Sequence, residues 1–305
     1  MKRLISFLLI TALLLTSAFS AGALTLSGGV EVANDFDDQL AVTGYSGTDP
    51  VVTIPETAYN KVIRRFDLKA FYNNQVVETV IMHDNMTQVK KWALKSCSNL
   101  KNVYFSKSLA VLYDQSFAYD PKLTSALLRN TEINELNVGV FTNSGVEYVA
   151  LPDTLKSVYG TVFEKTQIRR INLPSGVTQV GNRCFANCEK LTEVYIPASV
   201  TKLGEDVFRN TPNVTVFTTE GSAAQNYCSE NGVNCQVIGS DKFPSRLVGD
   251  VNGDCVVNIN DVTFIQRELL GYKTNFYPDN CDFDGNCVFN IDDATKIQLR
   301  LVGLY

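Results

Sequence analysis

Apolar side chains recur along residues 71–217 with a period close to 23. After each large anchor residue comes a short segment in which apolar and polar residues alternate, as in residues 100–105 and 191–196. Alternation predicts a strand, and a unit this short cannot bury its own apolar face. The pattern therefore predicts a solenoid with one short parallel strand per turn. Its core is expected to contain the anchors, which stand 22 to 24 residues apart at Phe71, Leu94, Phe117, Phe141, Phe163, Phe185 and Phe208.

The residues on either side of the central apolar position of each strand are expected to point away from the core. They form an outward face that includes Tyr104, Tyr148, Arg170 and Tyr195. Tyrosines on such a face suit protein contacts or sugar stacking, and a solvated sheet would carry them equally well. We interpret these four residues as a possible ligand face. Replacing Lys107 or Asp120 with alanine is expected to cost little.

A second pattern occurs twice near the C-terminus, and the second copy starts 32 residues after the first. Residues 250–261 and 282–293 are each rich in Asp and Asn, and each is followed by an amphipathic helical segment. Oxygen ligands stand at loop positions 1, 3, 5, 9 and 12, with a backbone carbonyl at position 7. This donor set suits Ca²⁺, whereas zinc would call for Cys or His. We expect two calcium ions, one held by Asp250, Asn252, Asp254, Val256, Asn258 and Asp261, the other by Asp282, Asp284, Asn286, Val288, Asn290 and Asp293.

Position 6 of both loops departs from the usual calcium loop. A Gly normally occupies it because the chain turns sharply there, but this sequence has Cys255 and Cys287. A residue with a side chain at positive φ costs roughly 1 kcal/mol or more. Either the calcium affinity is lowered, or a disulfide compensates.

The repeats resemble the BspA-like leucine-rich repeats of bacterial surface proteins. The resemblance rests on the 23-residue period, on Cys188-x-x-Leu191 and on Ile196-Pro197, and it covers about residues 30 to 238. Residues 40–55 are similar to the N-terminal cap of that family. At the other end, residues 221–228 predict a short closing helix, and residues 234–238 a last strand.

Residues 248–305 resemble a type I dockerin, the module that plugs into a cohesin on a scaffoldin. No amphipathic helix precedes either loop, and position 12 is Asp where an EF-hand has Glu, so each copy is a loop-then-helix unit. The resemblance implies a mixed fold, in which a leucine-rich-repeat solenoid is followed by a small all-α dockerin. It also implies cohesin contacts at Ile259, Asn260, Gln266 and Arg267 in the first copy, and at Ile291, Asp292, Gln298 and Leu299 in the second.

The first 23 residues predict a secretory signal peptide. Lys2 and Arg3 precede an apolar run from Leu4 to Leu15, and small residues follow. The run is too short to cross a bilayer, and no later run is long enough. We therefore expect a secreted protein without a membrane span after cleavage.

Charge separates the two remaining domains. Residues 248–305 carry nine Asp and Glu against four Lys and Arg, which accounts for the whole net charge of −5. The absence of a basic domain argues against nucleic-acid binding. We expect the repeat domain at 24–238, the dockerin at 248–305, and between them a polar linker, 239–247, on which the dockerin swings.

Eight cysteines in an exported chain raise the question of disulfides. Cys97 and Cys188 occupy the same repeat position four turns apart, too far to pair, and are expected to be buried. Cys228 and Cys235 could close the C-terminal cap. The pairing of Cys255, Cys281 and Cys287 stays open.

The functional expectation is a non-catalytic cellulosome component. Its dockerin would bind a cohesin, and its repeats would display a surface for a protein or polysaccharide ligand. One alternative is a glycoside hydrolase or another dockerin-borne enzyme with its site in the repeats. Glycoside hydrolysis would need two carboxylates that face one cleft, and the acids of the repeats are scattered; a Cys-His enzyme could use the lone His83 with Cys97. A second alternative is a structural spacer.

Overall fold

The computed structural model describes residues 23–243, 248–253, 256–272, 274 and 276–304. The predicted signal peptide therefore lies outside the described residues except for its last position. Residues 244–247, at the end of the predicted linker, also lie outside the described residues. The described chain forms a solenoid of stacked short strands, followed by two helices.

Most strands are only two or three residues long. Numbered along the chain, they are β1 (Leu24–Thr25), β2 (Val30–Asn34), β3 (Leu40–Tyr45), β4 (Val51–Thr53), β5 (Thr57–Ala58), β6 (Lys61–Phe66), β7 (Thr79–Ile81), β8 (Gln88–Val89), β9 (Asn102–Tyr104), β10 (Val111–Leu112), β11 (Ser125–Leu127), β12 (Glu135–Leu136), β13 (Tyr148–Ala150), β14 (Ser157–Val158), β15 (Arg170–Asn172), β16 (Gln179–Val180), β17 (Glu193–Tyr195), β18 (Lys202–Leu203), β19 (Thr215–Thr218) and β20 (Asn234–Val237).

The strands predicted from the alternating segments form one row, which we call the first row. It contains β4, β7, β9, β11, β13, β15, β17, β19 and β20, in three parallel sheets. Tyr148 lies opposite Ser125, and Glu193 lies opposite Arg170. Equivalent residues of successive turns are therefore in register, as the 23-residue period predicted.

A second row of strands was not predicted. The two-residue strands β8, β10, β12, β14, β16 and β18 continue a parallel ladder that begins at β3 and β6. The expectation of one strand per turn is thus wrong, because each full repeat contributes two. Two residues are too few for an alternating pattern to be visible in the sequence.

The core is a stack of phenylalanine rings. Phe117, Phe141, Phe163, Phe185 and Phe208 follow one another with centroids 5.6 to 5.9 Å apart and nearly parallel planes. The first four are fully buried, and Phe208 is nearly so. The predicted anchors therefore form one continuous core, in which each ring fills the space between those of the turns before and after it.

A column of small polar side chains closes the tight turn after each anchor. The thiols of Cys97 and Cys188 donate to the carbonyls of Phe71 and Phe163 at 3.1 and 3.0 Å, so both cysteines are buried and free, as expected. Asp120 occupies the same column. It is buried, and its carboxylate accepts from the Cys97 amide at 2.7 Å. This burial argues against the expectation that replacing Asp120 costs little, because the side chain belongs to the turn and not to the surface.

Both ends of the solenoid are capped. At the N-terminus, β1, β2 and β3 form an antiparallel edge, and β3 pairs with β6. At the other end, helix α1 (Ala223–Asn231) and β20 cover the last turn, with β20 parallel to β19. Cys228 and Cys235 are free here, although their thiols are hydrogen-bonded to each other.

The chain ends in a C-terminal module, residues 248–304, built around α2 (Ile259–Leu269) and α3 (Ile291–Leu301), which pack against each other. Short 3-10 helices span Phe36–Asp38, Ser240–Lys242 and Pro278–Asn280. Within the described ranges, no helix combines the length and apolar character needed to cross a bilayer.

Candidate metal centre

Three carboxylates of the second loop converge. One oxygen from each of Asp282, Asp284 and Asp293 lies within 4.8 Å of the others. Asp282 and Asp293 are buried, and Asp284 is half-buried. The cluster joins the start of the loop to the first turn of the helix that follows it.

The capping box of α3 brings these ends together. The Asp293 carboxylate accepts from the Asn290 amide at 3.0 Å and from the Phe283 amide at 2.9 Å. The Asn290 side chain in turn accepts from the Asp292 amide at 2.6 Å. Asp293 is therefore fixed by the helix cap and by the loop start at once, which is the role expected of loop position 12.

The electrostatics of the cluster suit a hard cation. Burial raises the pKa of Asp282 to about 6 and that of Asp293 to about 7, and the neighbouring carboxylates add to both shifts. Burial also raises the pKa of Asp284, and Lys296 offsets part of that shift. A divalent ion with oxygen ligands would offset both the burial of these charges and their mutual repulsion. Calcium therefore fits the residues present.

Position 6 of the second loop has the predicted strained backbone. Cys287 has φ of +67° and is buried. Burial raises the pKa of its thiol to about 12. Its Sγ lies 3.9 Å from the Phe105 carbonyl of the repeats. The side chain that replaces the usual Gly thus contacts the solenoid.

The first loop repeats this arrangement as far as it is described. Asp261 accepts from the amides of Val251 at 2.9 Å and Asn258 at 2.8 Å, and Asn258 caps α2. Burial raises the pKa of Asp261, with a contribution from Asp250. The predicted ligand Asp254 and its neighbour Cys255 lie outside the described residues.

The asparagines have partners that the sequence did not reveal. The side-chain oxygens of Asn258 and Asn290 accept from the backbone of their own helix caps. Asn286 accepts from the Val288 amide and donates to Asp284. Contact of position 9 with an ion through water is common in such loops, so the carboxylates form the principal donor set.

The residues expected to face a cohesin are accessible in both copies. Ile259 and Ile291 are 57% and 52% exposed. The others are also exposed, except for the half-buried Leu299: these are Asn260, Gln266, Arg267, Asp292 and Gln298. Both helices therefore present equivalent apolar positions at their N-terminal ends.

The opposite side of the C-terminal module packs on the first row of strands. The Tyr148 ring contacts Phe276 and Phe289 at centroid distances of 5.8 and 5.0 Å. The Arg170 guanidinium lies 4.3 Å from the centre of the Tyr277 ring. Much of the predicted ligand face is thus covered by the chain's own C-terminal module.

The rest of that predicted face is only partly open. Tyr195 is buried and stacks on Phe217 at 4.7 Å. Tyr104 remains half-exposed.

A buried carboxylate on α2 holds this contact. Glu268 has no exposed side-chain surface, and it forms an ion pair with Arg169 of the repeats. The Tyr148 hydroxyl donates to the same carboxylate at 3.1 Å, and Thr274 donates to it twice at 3.0 Å. Arg169 also pairs with Glu147 at 2.9 Å.

The repeats also contact the second loop itself. Arg129 donates to the Asp279 carbonyl at 2.9 Å and to the Asn280 side chain at 3.1 Å. Asn130 donates to the Asp282 carboxylate at 3.4 Å. Asn280 continues the chain of contacts to the first loop by donating to the Asp250 carbonyl at 2.7 Å.

The candidate catalytic pair has separate surroundings. His83 accepts from the Asn85 amide at 3.2 Å, and burial lowers its pKa. Burial raises the pKa of the Cys97 thiol, which donates to the Phe71 carbonyl of the preceding turn.

Two family models match the chain. The model described as BspA type Leucine rich repeat region matches in six copies over residues 51–165 and 114–231. The model described as Dockerin type I domain matches residues 248–301. Both domains are of non-catalytic kinds. None of the curated proteins compared with the chain matches it.

Two of the solved structures that are similar to the chain are leucine-rich proteins. The T. pallidum leucine-rich repeat protein TpLRR has 18% sequence identity and a TM-score of 0.58, with 71% of this chain and 99% of that chain covered. A leucine-rich cell surface protein of Faecalibacterium prausnitzii has 18% identity and a TM-score of 0.45, with 65% and 76% covered. The likeness to TpLRR supports the solenoid fold.

Proposed function

The chain belongs to the BspA-type leucine-rich-repeat proteins and carries a C-terminal type I dockerin domain, and from this premise we propose that it is a secreted, non-catalytic component of a cellulosome-type complex. Its dockerin binds a cohesin of a scaffoldin in a calcium-dependent manner. Its repeats are the part that the complex displays. In this proposal the signal peptide is residues 1–23, the repeat domain 24–238, the linker 239–247 and the dockerin 248–305.

The proposal rests on one observation. Three carboxylates meet at the N-terminal end of α3, whose first residue, Ile291, is exposed. The second loop places Asp282, Asp284 and Asp293 within 4.8 Å of one another. When bound, calcium supplies the positive charge that lets these carboxylates stay close together. Asp293 then orders the capping box, and the capping box sets where α3 begins.

The calcium loop and the residues that we assign to the cohesin contact follow each other directly in the sequence. Asn290 caps α3, and the next two residues, Ile291 and Asp292, are exposed positions that we assign to the cohesin contact. The first copy repeats this order in Asn258, Ile259 and Asn260. Calcium binding should therefore control recognition by fixing the first turn of each helix.

An apolar residue at loop position 10 in both copies favours a partner with an apolar pocket. Because Ile259 and Ile291 are both exposed, either helix can offer its isoleucine to the same cohesin surface. The copies differ at the equivalent positions Arg267 and Leu299, so a cohesin that requires a cation there would accept only one orientation.

The test is binding of the full chain to a panel of recombinant type I cohesins, with calcium and with chelator. Binding to at least one cohesin should need calcium and should be lost in the double variant Ile259→Asp/Ile291→Asp. Either single replacement should leave binding where both orientations work.

The matched control is Leu270→Asp/Val302→Asp. These exposed apolar residues are also 32 positions apart, but they lie at the opposite ends of the two helices. The control should bind like the parent chain. Chelator-resistant binding, or equal loss in both double variants, would contradict the proposed recognition surface.

A further inference from the structure

The tight turns of the first repeats hold large side chains at a position with left-handed backbone. A position with left-handed backbone recurs in successive turns, at Lys69 (φ +59°), Trp92 (+61°) and Gln115 (+53°). Further along the solenoid, the same position holds Gly139, Thr161, Arg183 and Asp206. The left-handed backbone is therefore a regular feature of the tight turn, and what sets the first repeats apart is the tryptophan that one of them presents there. Trp92 is also the only tryptophan of the chain.

Ammonium groups surround this tryptophan. The Nζ atoms of Lys69, Lys91 and Lys95 lie 5.2, 5.0 and 5.4 Å from the centre of the Trp92 ring system. Lys69 also lies 5.5 Å from the Tyr72 ring, and Lys95 lies 4.9 Å from the Tyr119 ring. We call these six residues the lysine–aromatic patch: Lys69, Tyr72, Lys91, Trp92, Lys95 and Tyr119.

The patch is held in place by the next turn. The Gln115 side-chain oxygen accepts from the Trp92 indole at 3.1 Å and from the Lys95 ammonium at 2.6 Å. Cation–π contacts restrict the lysines further. A ligand that binds here therefore has less side-chain freedom to remove, which favours affinity.

The positive charge of the patch is largely uncompensated. Lys91 has Asp114 at 3.7 Å, whereas no carboxylate of the described chain forms an ion pair with Lys69 or Lys95 within 4.0 Å. Desolvation and the charge of Lys91 lower the pKa of Lys95. In a chain of net charge −5, this local excess of cations favours an anionic ligand.

The shape of the patch indicates an extended ligand. It crosses three successive turns on the tight-turn side of the solenoid, with a spacing of about 4.8 Å per strand, close to the length of one sugar unit in an extended glycan. Tyr72 and Tyr119 are 47% and 44% exposed at its two sides. Aromatic faces stack on the C–H faces of sugars, and ammonium groups pair with carboxylates.

We propose that the lysine–aromatic patch binds a polysaccharide whose sugars carry carboxylates. This inference rests on the proposed function, because it names the ligand of the displayed repeats. The contacts of the dockerin lie elsewhere, at Arg129, Tyr148 and Arg169 on the first-row side. The glycan and the cohesin can therefore bind at the same time.

The test uses the sole tryptophan as its reporter. Short oligogalacturonates are titrated into the calcium-loaded full chain, after removal of excess calcium, and the fluorescence of Trp92 is followed. We expect a saturable change with the free acid and none with the methyl-esterified oligosaccharide. Lys69→Gln/Lys95→Gln keeps the reporter and should weaken binding about tenfold, or about 1.4 kcal/mol.

The matched control is Lys101→Gln/Lys122→Gln, which removes the same charge from lysines that bond to Glu78 and Asn99 outside the patch. It should bind like the parent chain. The inference is overturned by a fluorescence signal that does not respond, by equal binding of the esterified sugar, or by equal weakening in both double variants. Tighter binding of poly-glutamate than of oligogalacturonate would also overturn it, in favour of an acidic protein ligand.

Cohesin binding of the same samples distinguishes this inference from the proposed function. Glycan binding that fails while calcium-dependent cohesin binding persists refutes only the ligand assignment.

Discussion

Replacing Glu268 with Ala removes the carboxylate that fastens α2 to the repeats. Glu268 is fully buried and receives hydrogen bonds from Arg169, Tyr148 and Thr274. Loss of one partner from a buried ion pair costs about 3 to 5 kcal/mol. Arg169 keeps Glu147 and is partly exposed, so we expect the lower value of about 2 to 3 kcal/mol.

The assay is unfolding of the calcium-loaded full chain by denaturant, together with hydrogen exchange at the amides of β13 and β15. In Glu268→Ala, the dockerin should unfold at lower denaturant concentration, and the first-row amides should lose protection. Glu268→Gln keeps a hydrogen-bonding side chain of the same length without the charge. The denaturant concentration at which it unfolds should lie between those of Glu268→Ala and the parent chain.

A buried glutamate within the repeats serves as control. Glu164 pairs with Arg183 at 2.5 Å far from the dockerin contacts, so Glu164→Ala should weaken the solenoid without changing protection of α2. A double-mutant cycle of Glu268→Ala with Arg169→Ala should give a coupling energy of about 1 to 2 kcal/mol. Coupling below about 0.5 kcal/mol, with unchanged first-row protection, would refute the docking of α2 on the repeats.

Three further predictions concern the core, the turns and the loop charges. Phe163→Ala should cost about 3 to 5 kcal/mol in chemical unfolding, whereas exposed Lys107→Ala should stay within about 0.5 kcal/mol; equal effects would contradict the ring stack. Asp120→Ala should cost about 1 to 3 kcal/mol by the same measurement, because it leaves the buried Cys97 amide without its acceptor, and a neutral result would contradict the turn column. With chelator present, the fraction of folded dockerin should rise as pH falls from about 7 towards 5. Folded Asp282 and Asp293 have pKa values of about 6 and 7, above the unfolded value near 3.9, and so bind more protons than the unfolded chain. A helical signal that falls with pH over this range would contradict the burial of these carboxylates.

The sequence predicted the elements that depend on periodicity. The 23-residue spacing fixed the phenylalanine stack, and the alternation within each segment fixed which residues of the first row share a column. It could not predict the second row, whose strands have two residues each. It also misjudged Asp120, because a charged residue that satisfies a turn amide looks like a surface residue in one dimension.

Part of the candidate site could likewise be predicted from the sequence, and part could not. The ligand positions of the loops are local in sequence, and the structure brings Asp282, Asp284 and Asp293 together. The docking of the dockerin on Tyr148 depends on surfaces about 120 residues apart in the chain, and nothing in a polar linker predicts it. The cations around Trp92 come from neighbouring turns and could have been found by aligning the repeats at their tight turns.

The central claim is that the two loops bind calcium and that the fold of the dockerin depends on it. Calorimetric titration of the chelator-treated full chain with calcium tests it most directly. We expect two ions per chain, one per loop, and loss of one of them in Asp282→Asn, while Asp292→Asn, an equal charge change at an exposed neighbouring position, keeps both. Titration without saturable calcium binding, or with the same loss in both variants, would contradict the account.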